Sequence, residues 1–317
     1  MKIYFEAQQM DDVLSDPENL IPPRKLFGPY WYENEICFLI ADSNAGKSIL
    51  AGDITIAIDC GYNYWNQVMC EVPGEKNIVL YDLEQSKRQF TARYAGKDFC
   101  MNNITRVEFD HRNTELFTWQ DLLDDIDDRI NPNMTNVVIL DNLSCVLPNA
   151  TNAKEAIQFM RSLKTIKEMN GNVSFLILAH THKRNMGKPI DQNNLIGSKF
   201  LMNFADSAFA IGFSSKEEST RYIKQIKTRS SEKLGEVAEM EIEGSPYLHM
   251  EFVDWGTEDD HLHSMPRRSR IDDVIGELII ELYQDGYSIR EIASRIGVSK
   301  SSIHRFLKAN TNEEEIE

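Results

Sequence analysis

The sequence has no paired cysteines, no long hydrophobic run and little positive charge, and each deficit excludes a class of protein. Its five cysteines are scattered over 317 residues without a CxxC pair, which argues against a disulfide-stabilised secreted domain and for a reducing cytoplasm. The longest apolar runs, such as Val137–Leu140 and Phe175–Ala179, fall far short of the roughly 18 residues of a membrane span. Lysine and arginine total 34 against 50 acidic residues, and the net charge of −16 excludes bulk electrostatic coating of nucleic acid. We therefore expect a cytoplasmic protein, without membrane partners, whose contacts with nucleic acid are local.

The composition and the hydrophobic pattern divide the chain into five segments. Residues 1–20 are polar and acidic and are interpreted as a loose arm, whereas residues 21–255 alternate short apolar runs with amphipathic stretches. Such alternation predicts an α/β fold with a mostly parallel, twisted sheet flanked by helices. Residues 256–270 are interpreted as a polar linker, residues 271–310 as a small all-α helix-turn-helix domain, and residues 311–317 as an acidic tail.

A phosphate-binding loop is predicted directly after the apolar run Ile36–Ile40. Residues 41–48 fit the pattern GxxxxGK[ST], except that Ala41 replaces the first glycine. In this pattern backbone N–H groups surround a phosphate at a helix N-terminus, the lysine reaches the β- and γ-oxygens, and the hydroxyl binds Mg²⁺. The residues expected to hold ATP are Asp42, Ser43, Asn44, Ala45, Gly46, Lys47, Ser48 and Ile49.

Carboxylates suited to ATP hydrolysis follow two other predicted strands. Asp141 ends an apolar run, and we expect it to support the Mg²⁺ that Ser48 also binds, because ligands gather at the carboxyl edge of open α/β sheets. Glu84 follows the run Ile78–Tyr81 and is predicted to position the attacking water, with Asp82 as the second candidate. Acidic residues at strand ends also cap helices, so a structural role stays open for each.

The histidines of interest occur in two pairs. His180 follows an apolar run, and we expect it to contact the γ-phosphate as a polar sensor. His180 and His182 together could bind a metal, but no third ligand has suitable spacing. His261 and His263 fall in the predicted linker, and we interpret both as solvated surface residues.

Two cations near the end of the first domain have two interpretations. The segment Tyr222–Arg229 alternates as an edge strand does, and Lys227 and Arg229 therefore point to the same face. The spacing alone favours a solvated basic strand. The functional alternative is that both cations reach the site of a neighbouring subunit, where such groups contribute about 10³–10⁵ in rate.

Together these motifs resemble the RecA-type ATPases, and in particular the RepA-like replicative helicase group of plasmids and mobile elements, with its KaiC- and RadA-like relatives. The resemblance covers about residues 20–255 and also includes Pro22-Pro23-Arg24, Gly197-Ser198-Lys199 and Asp206. It implies a RecA-like P-loop fold that binds ATP and Mg²⁺.

The same resemblance implies an assembly and further partners. It assigns the water-positioning role to Glu84, and it assigns Lys227 and Arg229 to the adjoining subunit's site in a homo-oligomeric ring, which we expect to be a hexamer. Residues 186–197 fall where the family places a mobile DNA-facing loop, which implies single-stranded DNA as a further partner.

The C-terminal segment resembles the helix-turn-helix of resolvases and invertases. Ser288 and Ser299 are candidate N-caps, and Gly297 suits the left-handed turn between two helices. Residues 288–308 contain five basic residues and one acidic residue, a local charge of +4 in an acidic chain. A small helical domain that docks on a protein is the alternative. The residues expected to contact double-stranded DNA in its major groove are Lys300, Ser301, Ser302, His304 and Arg305.

The sequence favours an ATP-hydrolysing, DNA-associated motor in the replication or maintenance of a plasmid, phage or mobile element. One alternative is a DNA-bound regulator that uses ATP as a conformational switch with little turnover. Another is a RadA-like recombination ATPase, which would form filaments on DNA. Hydrolysis that rises with protein concentration and with single-stranded DNA would favour the motor.

Overall fold

The computed structural model describes residues 7–17, 20–61, 70–71, 74–94, 101–110, 112, 117–171, 173–197, 199–262 and 273–310. The chain divides into two compact units, Met1–His263 and Ser264–Glu317. The expected acidic tail, His263 and Ser198 lie outside the described residues.

The first unit contains these described strands: β1 (Lys25–Phe27), β2 (Trp31–Tyr32), β3 (Ile36–Ala41), β4 (Lys76–Asp82), β5 (Ile104–Val107), β6 (Thr135–Asp141), β7 (Val173–His180), β8 (Ser207–Phe213), β9 (Thr220–Lys227), β10 (Val237–Glu243) and β11 (His249–Gly256). Its described helices are α1 (Met10–Ser15), α2 (Lys47–Cys60), α3 (Lys87–Tyr94), α4 (Trp119–Arg129), α5 (Leu143–Val146), α6 (Ala153–Asn170) and α7 (Lys199–Phe204). Helix α1 falls within the expected arm, and none of its residues is buried.

Within the described residues, nine strands form one sheet in the order β11-β10-β9-β8-β3-β7-β6-β4-β5. The pairs from β8 through β5 are parallel, and the pairs among β8, β9, β10 and β11 are antiparallel. The predicted α/β fold with a mostly parallel sheet is therefore confirmed. Its unalternated apolar strands are buried on both faces, as all six residues of β3 are.

Helices cover both faces of the sheet and give it two cores. Phe38 and Leu39 are consecutive in β3, so their side chains point to opposite faces. Phe38 belongs to the core beneath α4 and α6, which includes Phe159, and Leu39 belongs to the core beneath α2, which includes Ile54. Each fully buried side chain of this size contributes about 1.5–3 kcal/mol. Packing on α2 places the N-terminus of that helix at the carboxyl end of β3.

The sequence predicts an edge strand at Tyr222–Arg229, and that prediction is wrong. Strand β9 lies between β8 and β10, and β11 forms the edge. Gln225, one of its polar residues, is fully buried. It donates to the Pro29 carbonyl at 2.8 Å and accepts from the Leu234 N–H at 2.8 Å. A polar residue of β9 such as Gln225 thus forms its hydrogen bonds inside the protein, whereas the alternating pattern predicts that it faces water.

The residues after β11 pack onto the sheet. Residues 258–261 form a short 3₁₀ helix, and His261 is fully buried. Its ring stacks on Tyr222 with centroids 5.0 Å apart, and its Nδ1 lies 3.0 Å from the Ser214 hydroxyl. The prediction that His261 is a solvated surface residue is therefore wrong, because an aromatic ring and a hydroxyl replace water around it. The first unit continues past the boundary expected at residue 255.

The second unit contains helices α8 (Asp273–Gln284), α9 (Ile289–Ile296) and α10 (Lys300–Asn310). Ser288 caps α9 through a capping box with Glu291, and Gly297 ends α9 with a φ of +69°. The helices enclose a small core of Ile279, Ile292, Val298, Ile303 and Leu307. The predicted helix-turn-helix is confirmed. No helix in the described part of the chain combines the length and apolar content that crossing a membrane requires.

Candidate nucleotide-binding site

The loop between β3 and α2 has the backbone conformation of a phosphate loop. Ala41 ends β3, where extended backbone suits alanine as well as the usual glycine. Gly46 precedes α2 with a φ of +101°, which side chains other than glycine rarely adopt. A Cβ at this position would also lie 2.3 Å from the Met250 methyl group. Glycine is therefore favoured here by the backbone conformation, whereas the Met250 side chain could move to admit a Cβ.

Lys47 is the first residue of α2, and its side chain folds back over the loop. The ammonium group donates to the carbonyl oxygens of Ala41 at 3.0 Å and Asp42 at 3.1 Å, and it lies 3.1 Å from Nδ1 of His180. Burial lowers the pKa of Lys47, and the carboxylates of Asp141, Glu84 and Asp42 counteract that effect. The group is thus a cation held among acceptors, as phosphate binding requires.

Asp141 ends β6 beside the start of α2 and is 3% exposed. Burial raises its pKa to about 6, while a hydrogen bond from Ser48 acts in the opposite direction. Its Oδ1 is buried and has no hydrogen-bond partner among the described residues. A carboxylate with one open oxygen beside a hydroxyl fits Mg²⁺, which binds through one or two protein oxygens together with phosphates and waters.

The carboxylates of Asp82, which ends β4, and of Glu84, in the turn after it, have different surroundings. Asp82 is 1% exposed, accepts from Arg106 Nε at 2.9 Å and also accepts from the Gln85 N–H at 3.1 Å. Arg106 donates in addition to the Gln85 carbonyl at 2.6 Å. Asp82 and Arg106 therefore hold the turn after β4, and the turn directs Glu84 to the cleft, where it accepts from Asn142 Nδ2.

His180 ends β7 and is paired with Ala41 in the adjacent strand. Its Nδ1 faces Lys47, and its Nε2 lies 3.2 Å from Asn142 Nδ2. Burial and the nearby charge of Lys47 lower the pKa of His180, so the ring is neutral near pH 7. His182 is exposed, and no group of three or more His, Cys, Asp or Glu residues in the described part is arranged to hold a metal.

Lys47, Glu84 and His180 line a cleft of about 530 Å³ at the carboxyl edge of the sheet. Its lining consists of Ser43, Asn44, Gly46, Lys47, Ser48, Ile49, Glu84, Arg93 and His180. Ala45 is fully buried behind the loop. The Asp42 side chain points away from the cleft and accepts from Thr181 and Arg184. Only the backbone of Asp42 is therefore available to a ligand in the cleft.

Comparisons with known proteins agree with this geometry. The AAA domain family matches residues 5–186, which is more than half of the chain. This chain belongs to the AAA-domain family. A helix-turn-helix domain family matches residues 277–310 of the same AAA-domain chain. The comparison with curated proteins found no match.

A solved structure shares the fold of this AAA-domain protein. The KaiC-like protein PH0186 from the hyperthermophilic archaeon Pyrococcus horikoshii OT3 is 15% identical, and the alignment covers 74% of this chain and 98% of that one with a TM-score of 0.52. At this identity the likeness shows the fold alone. The AAA-domain match, the sheet and the loop identify a RecA-type P-loop ATPase with a C-terminal helix-turn-helix.

Sequence reasoning missed two residues of the site in this AAA-domain protein: Arg93, which lines the cleft, and Asn142, which is buried beside it. Asn142 follows Asp141 directly and is fully buried between Glu84 and His180. The only feature of the sequence that could have indicated a role for Asn142 is its position directly after Asp141 at the end of a strand. Arg93 lies in the last turn of α3, and its Nη1 is buried without a hydrogen-bond partner among the described residues. No motif marks Arg93, because only the packing of α3 brings it to the cleft.

Lys227 and Arg229 lie away from this chain's own cleft. Strand β9 runs antiparallel to β8, so it ends at the edge of the sheet opposite the phosphate loop. Lys227 donates to the carbonyl oxygens of Met202 at 2.8 Å and Ala205 at 2.6 Å, and Arg229 pairs with Asp206 at 3.0 Å. Burial and Arg229 lower the pKa of Lys227. Their action in a neighbouring site stays a prediction.

The expected DNA contacts lie in the first two turns of α10. Lys300 and His304 are exposed, whereas Ser302 is partly buried and its hydroxyl lies 2.8 Å from that of Ser299. The Ser299 hydroxyl also accepts from the Ser302 N–H at 3.2 Å, so Ser299 caps the helix, as its sequence position predicted. Ser301 and Arg305 have their backbone in α10, and their side chains lie outside what the structure describes.

Proposed function

We propose that this protein hydrolyses ATP and couples hydrolysis to DNA, as a RepA-like motor in the replication or maintenance of a plasmid, phage or mobile element. The observation that carries the proposal is the convergence of Lys47, Glu84 and Asp141, although 94 residues separate the first from the last. Lys47 and Glu84 line one cleft, and Asp141 is buried close enough to Lys47 for the two charges to interact. The burial of Asp141 with an unpaired oxygen costs stability, which indicates that the arrangement serves binding.

Each group has a role in the proposed reaction. The loop N–H groups and Lys47 hold the β- and γ-phosphates, and His180, whose Nδ1 lies 3.1 Å from the Lys47 ammonium, contacts the terminal phosphate. Ser48 and Asp141 would hold Mg²⁺, which supplies charge neutralisation at the phosphates. Glu84 orients the attacking water and accepts its proton, and Arg93 adds a cation to the cleft.

The helix-turn-helix supports the DNA part of the proposal. Lys300 and His304 are exposed near the start of the second helix, the part that enters the major groove in this motif. The proposed assembly is a homo-oligomeric ring, a hexamer, in which Lys227 and Arg229 reach the adjacent cleft and single-stranded DNA passes the segment 186–197.

A DNA-bound regulator that uses ATP as a switch is the second candidate. The contacts of Lys227 with α7 and of Arg229 with Asp206 favour it, because both cations already have partners within their own chain. A switch needs ATP binding and little turnover, whereas a motor needs sustained hydrolysis.

Steady-state ATP hydrolysis by the wild type, Lys47→Ala and Glu84→Gln tests the proposal, with and without single-stranded DNA and over a range of protein concentrations. We expect Lys47→Ala to lose ATP binding, and Glu84→Gln to keep binding while kcat falls by about 10²-fold or more. Glu251→Gln is the matched control, because Glu251 is exposed on the edge strand β11. Wild-type protein that binds ATP and does not turn it over would exclude the motor and leave the switch.

DNA binding by the second unit is tested separately in the full chain. Lys300→Ala should weaken binding to duplex DNA and reduce the salt dependence by about one counterion, since an exposed lysine contacts phosphate. Lys164→Ala, an exposed lysine in α6, is the control. Equal affinity of Lys300→Ala and the control would favour a protein-docking role for this unit.

A further inference from the structure

Arg221 is a buried cation that the proposed reaction does not use. It is the second residue of β9 and is 7% exposed. Its Nη1 donates to the carbonyl oxygens of Glu218 at 2.6 Å and Thr220 at 2.9 Å, and its guanidinium lies over the Phe213 ring, 4.4 Å from the centroid. These contacts hold the guanidinium in one place at the start of its own strand.

The charge of Arg221 has no carboxylate as a direct partner. Every hydrogen bond that Arg221 forms in the described part of the chain goes to a backbone carbonyl. Burial lowers the pKa of Arg221, while the charge of Glu218 acts in the opposite direction, and an arginine stays protonated in a protein. A buried charge without a carboxylate partner costs free energy, which directs attention to what this cation holds.

One acceptor of Arg221 belongs to the phosphate loop. Its Nε donates to the carbonyl oxygen of Ala45 at 3.2 Å, although 176 residues separate the two in the chain. Ala45 is fully buried, whereas the next residue, Gly46, lines the cleft. The carbonyl of the Ala45–Gly46 peptide is therefore held on the side of the loop away from the cleft.

The same peptide presents its N–H on the other side. A trans peptide is planar, so its C=O and N–H groups point in opposite directions. With the Ala45 carbonyl held by Arg221, the Gly46 N–H points toward the cleft, and it forms no hydrogen bond to another described residue. A hydrogen bond to the carbonyl of a peptide also polarises the peptide and strengthens its N–H as a donor.

The backbone of Gly46 shows why this orientation has to be held. Its φ is +101°. If the peptide plane turned over, this φ would change to about −80°, which residues of every type adopt. The Gly46 N–H would then point away from the cleft. The orientation that presents the donor is thus the one that favours glycine, and Arg221 stabilises it.

We infer that Arg221 is a positioning residue, which holds the Ala45–Gly46 peptide so that the Gly46 N–H is directed at a phosphate in the cleft. Arg221 acts through the Ala45 carbonyl and not by contact with phosphate. The inference rests on the proposed function in one respect, that the cleft receives a nucleotide phosphate. It adds a residue of β9 to the support of a loop whose motif ends at Ser48.

The variant Arg221→Met tests the effect on binding, because methionine keeps an apolar contact with Phe213 and cannot donate. Isothermal titration calorimetry with ADP–Mg²⁺ measures binding without hydrolysis. We expect the dissociation constant to rise by about tenfold or more, as for the loss of an oriented hydrogen bond to a charged acceptor. Lys216→Met is the matched control, since it removes the same charge from an exposed side chain in the segment before β9. Equal dissociation constants for the two variants would overturn the inference.

The stability of Gly46→Ala in two backgrounds separates the held peptide from a general structural role. In the wild type alanine would have to adopt a φ of +101°, so the denaturation midpoint should fall. In Arg221→Met the peptide can turn over, and the same substitution should lower the midpoint by less than half as much. Equal shifts in both backgrounds would contradict the inference, because independent sites give additive effects.

A crystal structure of the wild type with ADP–Mg²⁺ decides the orientation even where Arg221→Met fails to fold. We expect Arg221 Nε on the Ala45 carbonyl and the Gly46 N–H within hydrogen-bond distance of a phosphate oxygen. A Gly46 N–H that points away from the phosphate would overturn the inference. If the wild type binds no nucleotide, the proposed function fails, and the two Gly46→Ala midpoints still test the role of Arg221.

Discussion

Asp42 in the phosphate loop forms a salt bridge with Arg184, whose Nε lies 3.1 Å from the Asp42 Oδ2. The two side chains are 15% and 5% exposed, and Asp42 also accepts from the Thr181 hydroxyl. Arg184 lies two residues before the segment 186–197 and also donates to the carbonyl of Lys188 within it. The loop that would hold phosphate is thus connected to the segment expected to face DNA.

Arg184→Ala should separate these two sites. We expect basal ATP hydrolysis to be kept and its stimulation by single-stranded DNA to fall about fivefold or more, since coupling energies of this kind are about 1–3 kcal/mol. Hydrolysis measured over a titration of single-stranded DNA checks this, with exposed Lys183→Ala as control. Equal stimulation of the two variants would mean that the salt bridge only stabilises the fold.

Gly46→Ala should impair both stability and nucleotide binding. The Met250 methyl group is the end of a flexible side chain and can move, but the φ of +101° remains costly for alanine by about 1–2 kcal/mol. Denaturant unfolding and ATP binding measure the two effects. Gly244→Ala is the control, because a Cβ there meets no atom within 4 Å. Wild-type stability of Gly46→Ala would contradict the geometry of the loop.

Acid should destabilise the first unit through His261. Burial lowers the pKa of His261, with Lys216 acting in the same direction and Glu239, Asp260 and Glu258 opposing it. As the pH falls, His261 is therefore protonated in the unfolded chain before it is protonated in the folded protein. The stabilisation that neutral His261 contributes is complete above about pH 6.5 and is lost as the pH falls toward the lowered pKa.

The variant His261→Phe checks this pH dependence. Phenylalanine keeps the stack on Tyr222 and cannot titrate, so the melting temperature should fall less between pH 7 and pH 5 than in the wild type. Exposed His304→Gln should behave as the wild type does. Identical slopes for all three proteins would contradict a neutral, buried His261.

Subunit mixing tests whether Arg229 acts in a neighbouring site. We expect Lys47→Ala and Arg229→Ala to be inactive alone and to regain hydrolysis when mixed, because about one quarter of random interfaces then combine an intact lysine with an intact arginine. Arg229→Ala mixed with the double variant Lys47→Ala/Arg229→Ala should stay inactive. Full activity of Arg229→Ala alone would assign Arg229 to its salt bridge with Asp206.

Local patterns were sufficient for much of the fold and of the cleft. Strands buried on both faces must be apolar along their whole length, and β3 and β7 are recognisable for that reason. Helix caps are equally local, as the capping box at Ser288 shows. The phosphate loop depends on residues adjacent in the chain, so its motif predicts it without knowledge of the rest.

Tertiary structure decided everything that depends on which strand ends meet. The sequence has two candidate carboxylates, Asp82 and Glu84, at the end of the same apolar run. The salt bridge from Arg106 in β5 holds Asp82 at the turn and leaves Glu84 at the cleft. Apart from its position after Asp141, nothing in the sequence distinguishes Asn142 from other polar residues. The pairing of β6 with β4 and β7 places it between Glu84 and His180. The edge position expected for β9 and the solvated state expected for His261 were wrong for the same reason. Burial of a polar residue is determined by partners distant in the chain, and a one-dimensional pattern does not contain them.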